Sequence, residues 1–155
     1  MHYEMMFPDQ IRDAIDKNTP VAIALGVLEY HSEHLSPGVD TLLVVRALDL
    51  LEKEMPLVIM PPFYYGSGTY VVAPPERNGG IHVDSQVLQQ FARQLFYNLL
   101  RIGFRNIYVF VHHQSENFAN GMPTDLAFKL AARQELFAFI ENERGDGWWG
   151  DISSA

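Results

Sequence analysis

The sequence predicts an α/β fold, a three-layer sandwich in which a mostly parallel sheet carries helices on both faces. Short, continuously apolar segments alternate with longer segments of helical periodicity, as in successive strand–helix units. No internal repeat and no linker interrupts this alternation, and 155 residues suit one domain with a hydrophobic core. We therefore expect residues 1–155 to form a single domain.

Two helices and two strands are predicted in the first half of the chain. Pro8 suits the first turn of a short helix, and the run from Val21 to Leu28 has the apolar character of a strand buried on both faces. In the next helix, Asp40 stands where its side chain is suited to N-capping. The four elements cover residues 7–18, 21–28, 40–54 and 57–60. The second helix is predicted to turn Leu43, Ala47, Leu50 and Leu51 inward.

The second half predicts a long irregular segment, two helices and a third strand. The irregular segment is rich in aromatic residues and glycine, and loops of this length are commonly functional. Asp84 is predicted to cap the long helix, and Gly103 to end it. The elements are an irregular segment over 63–80, helices over 84–102 and 124–142, a buried strand over 106–111 and a turn-rich tail over 145–155. The predicted buried face of the long helix contains Val87, Leu88, Phe91, Leu95, Leu99 and Ile102.

A polar cluster follows the first strand. Glu29 and His31 are two positions apart, so at a strand end their side chains leave on the same face. Asp40 follows after a Pro-Gly turn and adds a second carboxylate. Carboxylates and imidazole are suitable ligands for divalent ions such as Zn²⁺ or Mn²⁺. The alternative is a solvated polar loop followed by a helix cap.

A second polar cluster follows the third strand and contains His112, His113 and Glu116. The carboxyl ends of parallel strands lie at one edge of a sheet, where ligands bind. We therefore expect the two clusters to meet at this edge. On an extended strand His112 and His113 would face opposite sides, so only one of them is expected to point to a shared metal.

Composition excludes several partners and sites. The net charge of −8 and the lack of a basic cluster argue against nucleic acid. Without cysteine, any metal must be held by His, Asp and Glu. A flavodoxin-like nucleotide site is disfavoured because acidic residues, and no glycine-rich phosphate loop, follow the first strand. No apolar run has the roughly 18 residues of a membrane helix, and no signal peptide is evident, so a cytoplasmic protein is expected.

The two clusters and the segments around them resemble the creatininase family of metal-dependent amidohydrolases. Pro61 to Gly66, Gly79 to Val83 and Gly103 to Asn117 resemble further segments of that family, so the likeness extends over nearly the whole chain. The family pattern E-x-H-x-x-H-L-x-x-G-x-D is met at Glu29, His31, His34, Leu35, Gly38 and Asp40.

The resemblance implies two divalent metal ions, Zn²⁺, Mn²⁺ or Fe²⁺, with Asp40 bridging them. Glu29 and His113 would complete one site, and His31 and Glu116 the other. Glu116 is also the candidate for catalytic proton transfer. Anchoring the likeness at Glu116 and Asn117 instead places Gln114 in the histidine position, and His112 is a third candidate for it. Residues expected beside the ligands or the substrate are His34, His82, Tyr65, His112 and Trp148.

The resemblance also implies a reaction and partners. Family members hydrolyse small polar ring compounds such as the cyclic amide creatinine, and they assemble as hexamers, so a small-molecule substrate and a homo-oligomer are expected. Family members run well past 155 residues and carry a further motif with His and Glu after the last helix. The resemblance therefore implies a short member, a truncated product, or a chain that borrows the missing wall of the pocket from a partner. An alternative is therefore a catalytically incomplete member that acts as a structural or assembly subunit.

Overall fold

The computed structural model describes residues 1–68, 74–113 and 124–144. In these ranges three strands alternate with four helices, after a short 3-10 helix over Tyr3–Met5. The strands are β1 (Val21–Leu25), β2 (Val58–Ile59) and β3 (Ile107–Val111). The helices are α1 (Pro8–Asp16), α2 (Val39–Leu51), α3 (Ser85–Ile102) and α4 (Thr124–Arg144).

The three strands form a parallel sheet in the order β2-β1-β3. Val21 at the start of β1 is in register with Val58 on one side and with Ile107 on the other. Every residue of β1 is buried, as expected of a central strand covered on both faces. The carboxyl ends of β1 and β3 therefore lie side by side, with Leu25 opposite Val111.

Alternate residues of β1 enter two hydrophobic clusters on opposite faces of the sheet. Val21, Ile23 and Leu25 pack with residues of α1, α3 and α4. Ala22 and Ala24 pack with residues of α2. The sheet is thus the middle of three layers, and the predicted α/β sandwich with helices on both faces is confirmed.

A contact between Gly26 and Thr41 fixes the start of α2 against the end of β1. A Cβ on Gly26 would lie 2.5 Å from both the backbone nitrogen and Oγ1 of Thr41, so only glycine fits this approach. The Thr41 hydroxyl donates a hydrogen bond of 2.8 Å to the carbonyl oxygen of Phe63. β1 ends at Leu25, three residues earlier than predicted, and Gly26 directly follows it.

The prediction that Asp40 caps α2 is wrong. The helix begins at Val39, with Gly38 in the capping position, so Asp40 lies inside the first turn. Its side chain is buried and is directed toward the end of β3, where it meets His113. At the other predicted cap, Asp84 has the capping position of α3 but makes no side-chain capping hydrogen bond.

The predicted inward faces of α2 and α3 are partly wrong. On α2 the buried residues include Val44 and Leu48, whereas Leu43 and Leu50 are each 49% exposed. On α3, Leu88 and Leu99 are buried as expected, but other predicted residues are exposed because the buried stripe is rotated. The buried stripe of α3 contains Ser85, Leu88, Ala92, Phe96 and Leu99. Val87, Phe91 and Ile102 are exposed.

β3 differs from the predicted buried strand. It is an edge strand among the described residues, and Tyr108, Phe110 and Val111 are exposed. Tyr108 and Phe110 are in register with Ala22 and Ala24, so they lie on the α2 face of the sheet. Among the helices of the described ranges, none has the length and apolar character needed to cross a membrane.

Candidate metal centre

Four side chains from three segments converge at the carboxyl edge of the sheet. Glu29 and His31 follow β1, Asp40 lies in the first turn of α2, and His113 follows β3. His113 Nδ1 lies 3.1 Å from Asp40 Oδ2 and 3.4 Å from Glu29 Oε1. His31 Nε2 lies 3.2 Å from Asp40 Oδ1 and 3.4 Å from Glu29 Oε1. The two polar clusters of the sequence therefore meet in space.

The carboxylate of Asp40 has a different set of neighbours at each of its oxygens. Oδ2 faces His113, whereas Oδ1 faces Nε2 of His31 and, at 3.6 Å, Nδ1 of His112. His112 and His113 thus lie at different oxygens of Asp40, and that only one of them points to a shared metal stays a prediction. β3 ends at Val111, so strict strand alternation no longer governs the two residues that follow.

The tautomer of His31 follows from its second ring nitrogen. Nδ1 lies 3.1 Å from the carbonyl oxygen of Glu29, which can only accept a hydrogen bond, so Nδ1 donates. A neutral His31 ring then carries its lone pair on Nε2, the atom that faces Asp40 and Glu29. A backbone carbonyl that orients an imidazole in this way is typical of metal-binding histidines.

The centre concentrates negative charge in a buried place. Glu29 is 7% exposed and Asp40 3%, and within the described residues the ion pairs of both carboxylates are all with histidines. Burial lowers the pKa of His113, but hydrogen bonds to Asp40 and Glu29 and their charges outweigh burial and raise this pKa to about 9. Buried carboxylates are costly without a nearby positive charge, which a proton on His113 or a bound cation would supply.

The donor atoms fit a divalent metal ion. Ligand atoms of Glu29, His31 and Asp40 all lie within 4.8 Å of one another. Donors at 2.0–2.2 Å from a tetrahedral ion are roughly 3.3–3.6 Å apart, and the carboxylate–imidazole distances here span 3.1–3.6 Å. A cation in this place would also replace the proton that the buried carboxylates hold on His113.

A cavity of about 450 Å³ opens directly onto these donors, which is the size of a small-molecule site. Gly68 forms part of the surroundings: a Cβ there would lie 3.2 Å from His113 Nε2 and 3.3 Å from Glu29 Oε2. Gly68 lies in the glycine-rich segment that was predicted to be functional, but no role beside the donors was predicted for it. The cavity is lined by Glu29, His31, Asp40, Val111, His112 and His113.

Comparison with known proteins identifies the family. Residues 4–153 match the sequence profile of the creatininase family, described as creatinine amidohydrolase. The chain belongs to the creatininase family. No curated protein gives a significant match.

Solved creatininase structures share the fold. A structure named "Creatininase Mn" superposes with a TM-score of 0.72 at 20% identity, over 90% of this chain and 54% of the other. A mutant creatininase of "Zn-Zn type" gives 0.71 at 20% identity, over 90% and 54%. A creatinine amidohydrolase gives 0.72 at 19% identity, over 90% and 53%. This creatininase-family chain thus spans about half the length of the solved structures it matches.

The remaining predicted residues lie farther from the donors or outside the described residues. His34 and Tyr65 are exposed and are not among the cavity-lining residues. His82 Nδ1 lies within hydrogen-bonding distance of the backbone of Gly68, at 3.3 Å from its nitrogen and 3.2 Å from its oxygen. His82 therefore contacts Gly68, which in turn adjoins His113 and Glu29. Glu116 and Trp148 lie outside the described residues.

Proposed function

We propose that this creatininase-family protein is a metal-dependent hydrolase of a cyclic amide or a related small polar ring, and that two divalent ions held by its residues would supply the activated water. Membership of the family supports a metal-dependent amidohydrolase in general. The single observation that carries the two-ion arrangement is the position of Asp40, whose two oxygens face different histidines. A carboxylate placed in this way is suited to bridge two ions.

The chain's own residues would divide between the two ions. His113 adjoins both Oδ2 of Asp40 and Oε1 of Glu29, and these three residues would hold one ion; His31 adjoins Oδ1 of Asp40 and would hold the other. Bound divalent ions lower the pKa of a coordinated water and polarise a carbonyl group. The burial of Asp40 and Glu29 keeps their charges poorly screened, which favours cation binding. Glu116 remains the candidate for moving a proton between water and the leaving nitrogen.

Metal analysis combined with a hydrolysis screen tests this function. The protein is depleted with a chelator, reloaded with Zn²⁺ or Mn²⁺ and assayed on creatinine and other small cyclic amides. In wild type we expect two bound ions and metal-dependent turnover; in His31→Ala we expect the loss of one ion and of the turnover. His34→Ala is the matched control, because His34 lies in the same loop but is exposed. A wild-type protein that binds no divalent ion after reloading would contradict the proposal.

A second candidate is self-association through an apolar surface, and it is favoured by the uncovered residues of α2 and β3. Helical spacing places Leu43 and Leu50 on one flank of α2 and Asp49 on the opposite flank. Asp49 pairs with His2, which lies beside β2, so the Asp49 flank is on the β2 side of the helix. The leucine flank is therefore on the β3 side, where Tyr108 and Phe110 are also exposed. We propose that a second copy of this chain covers this surface, which would suit either an enzyme or an assembly subunit.

Sedimentation velocity tests the self-association. We expect wild type to sediment as an oligomer and the double variant Leu43→Ser/Leu50→Ser to sediment as a smaller species. Leu42→Ser is the matched control, since Leu42 is equally exposed but lies on the flank of Asp49. A monomeric wild-type protein over the micromolar range would contradict this candidate and leave the hydrolase proposal standing.

A further inference from the structure

His112 adjoins the Asp40 oxygen that His31 also faces. His112 Nδ1 lies 3.6 Å from Asp40 Oδ1, and His31 Nε2 lies 3.2 Å from the same atom. Both histidines line the cavity. The side chain of His112 is 59% exposed, whereas that of His113 is 4% exposed. The two consecutive histidines therefore approach different oxygens of one carboxylate, His112 with an exposed side chain and His113 with a buried one.

We propose that His112 is a ligand of the second metal ion, so that this ion is held by His31, His112 and Asp40. The inference rests on the proposed two-metal function and changes its ligand set, because the family resemblance assigns that place to Glu116. Donors that share a tetrahedral ion are roughly 3.3–3.6 Å apart. The distances from Asp40 Oδ1 to the two imidazoles, 3.2 Å and 3.6 Å, agree with this spacing.

The two sites would then differ in chemistry. Glu29, Asp40 and His113 offer an oxygen-rich set in the buried half of the centre. His31 and His112 offer two nitrogens from more exposed side chains. Imidazole suits Zn²⁺, whereas carboxylates suit harder ions such as Mn²⁺. We therefore expect the second site to prefer Zn²⁺ over Mn²⁺ and to leave an exchangeable position toward the cavity, since three protein ligands and an open position are typical of catalytic zinc.

X-ray absorption at the zinc edge of the reloaded full-length chain tests the assignment without any activity assay. In wild type we expect three imidazoles for every two zinc ions, and in His112→Ala two. Titration of the metal-free protein with Zn²⁺ should show that His112→Ala weakens the second binding step roughly tenfold or more. The first step, at Glu29 and His113, should be unchanged. His34→Ala is the control for losing a histidine from the same side of the protein.

The outcomes separate this inference from the proposed function. If wild type binds two zinc ions and His112→Ala keeps both affinities and the same imidazole count, His112 is no ligand, while the two-metal function stands. Loss of the second ion in Glu116→Gln but not in His112→Ala also overturns the inference. If wild type binds no zinc, both proposals fail. Should His112→Ala not fold, the wild-type imidazole count decides alone, since two imidazoles for two ions would overturn the assignment.

Discussion

The imidazole of His113 lies 3.1 Å from the carboxylate of Asp40, although 73 positions separate the two residues in the chain. Both side chains are almost fully buried, and the parallel pairing of β1 with β3 brings their segments to one edge of the sheet. A buried carboxylate in contact with a buried imidazole makes the centre sensitive to charge and to pH. Four predictions follow from the geometry around this pair.

Removing the charge of Asp40 should abolish metal binding at the candidate centre. Asp40→Asn keeps the size of the side chain but replaces an anionic oxygen that faces His31 and one that faces His113. Because Asp40 would serve both of the proposed metal ions, we expect metal-dependent hydrolysis and both ions to be lost, and not one ion alone. Metal content after dialysis, measured by mass spectrometry, checks the result.

Asp49→Asn is the matched control for that substitution. Asp49 lies on the same helix but pairs with His2 at 3.3 Å, away from the centre. Its loss should leave the metal content unchanged. Retention of one full equivalent of metal by Asp40→Asn would show that the two ions do not share this residue.

The stability of the metal-free protein should fall between neutral and alkaline pH. The pKa of His113 is raised from 6.5 to about 9 in the folded state by Asp40 and Glu29. The proton is thus held more tightly in the folded than in the unfolded state, so its stabilisation is complete below pH 6.5 and is lost as the pH rises through about 9. The expected loss is on the order of 3 kcal/mol.

Urea denaturation of chelator-treated protein from pH 6 to pH 10 measures this loss. The other titratable groups facing His113 are the carboxylates of Glu29 and Asp40. His31 and His112 lie at the other oxygen of Asp40, and His31 also faces Glu29. His113→Gln should flatten the profile, because the neutral amide cannot hold the proton. Saturating Zn²⁺ should flatten it too, since the ion replaces the proton. A wild-type profile as flat as that of His113→Gln would refute the prediction.

A side chain at position 68 should weaken metal binding more than it weakens the fold. In Gly68→Ala the new Cβ would lie 3.2 Å from His113 Nε2 and 3.3 Å from Glu29 Oε2. Both neighbours are side-chain atoms that can shift by a few tenths of an ångström, so the stability cost should be below about 1.5 kcal/mol. That shift moves two donors of one ion, and we expect its affinity to fall roughly tenfold. Isothermal titration and urea denaturation on the same preparation separate the two effects.

The sequence is sufficient to predict the alternation of strands and helices, because buried strands and amphipathic helices have different apolar periods. It also predicts that Glu29 and His113 share an edge, since parallel topology brings the strand ends together. It does not predict the inward face of α2, because leucine or valine occupies several flanks of that helix and tertiary packing selects Val44 and Leu48. The sequence also does not predict that Asp40 is buried, because its position depends on the close contact between Gly26 and Thr41 of α2.

Gly26→Ala should destabilise the protein strongly and through backbone contacts. The added Cβ would lie 2.5 Å from the backbone nitrogen of Thr41 and 2.9 Å from the carbonyl carbon of Asp40, neither of which can rotate away as a side chain does. The start of α2 must therefore move off β1, at a cost of about 3 kcal/mol or more. Because Asp40 moves with it, metal affinity should fall together with stability, in contrast to Gly68→Ala, for which affinity falls first. Thermal unfolding with and without Zn²⁺ checks this: an unchanged midpoint in Gly26→Ala would mean that the close approach of α2 to β1 does not position the centre.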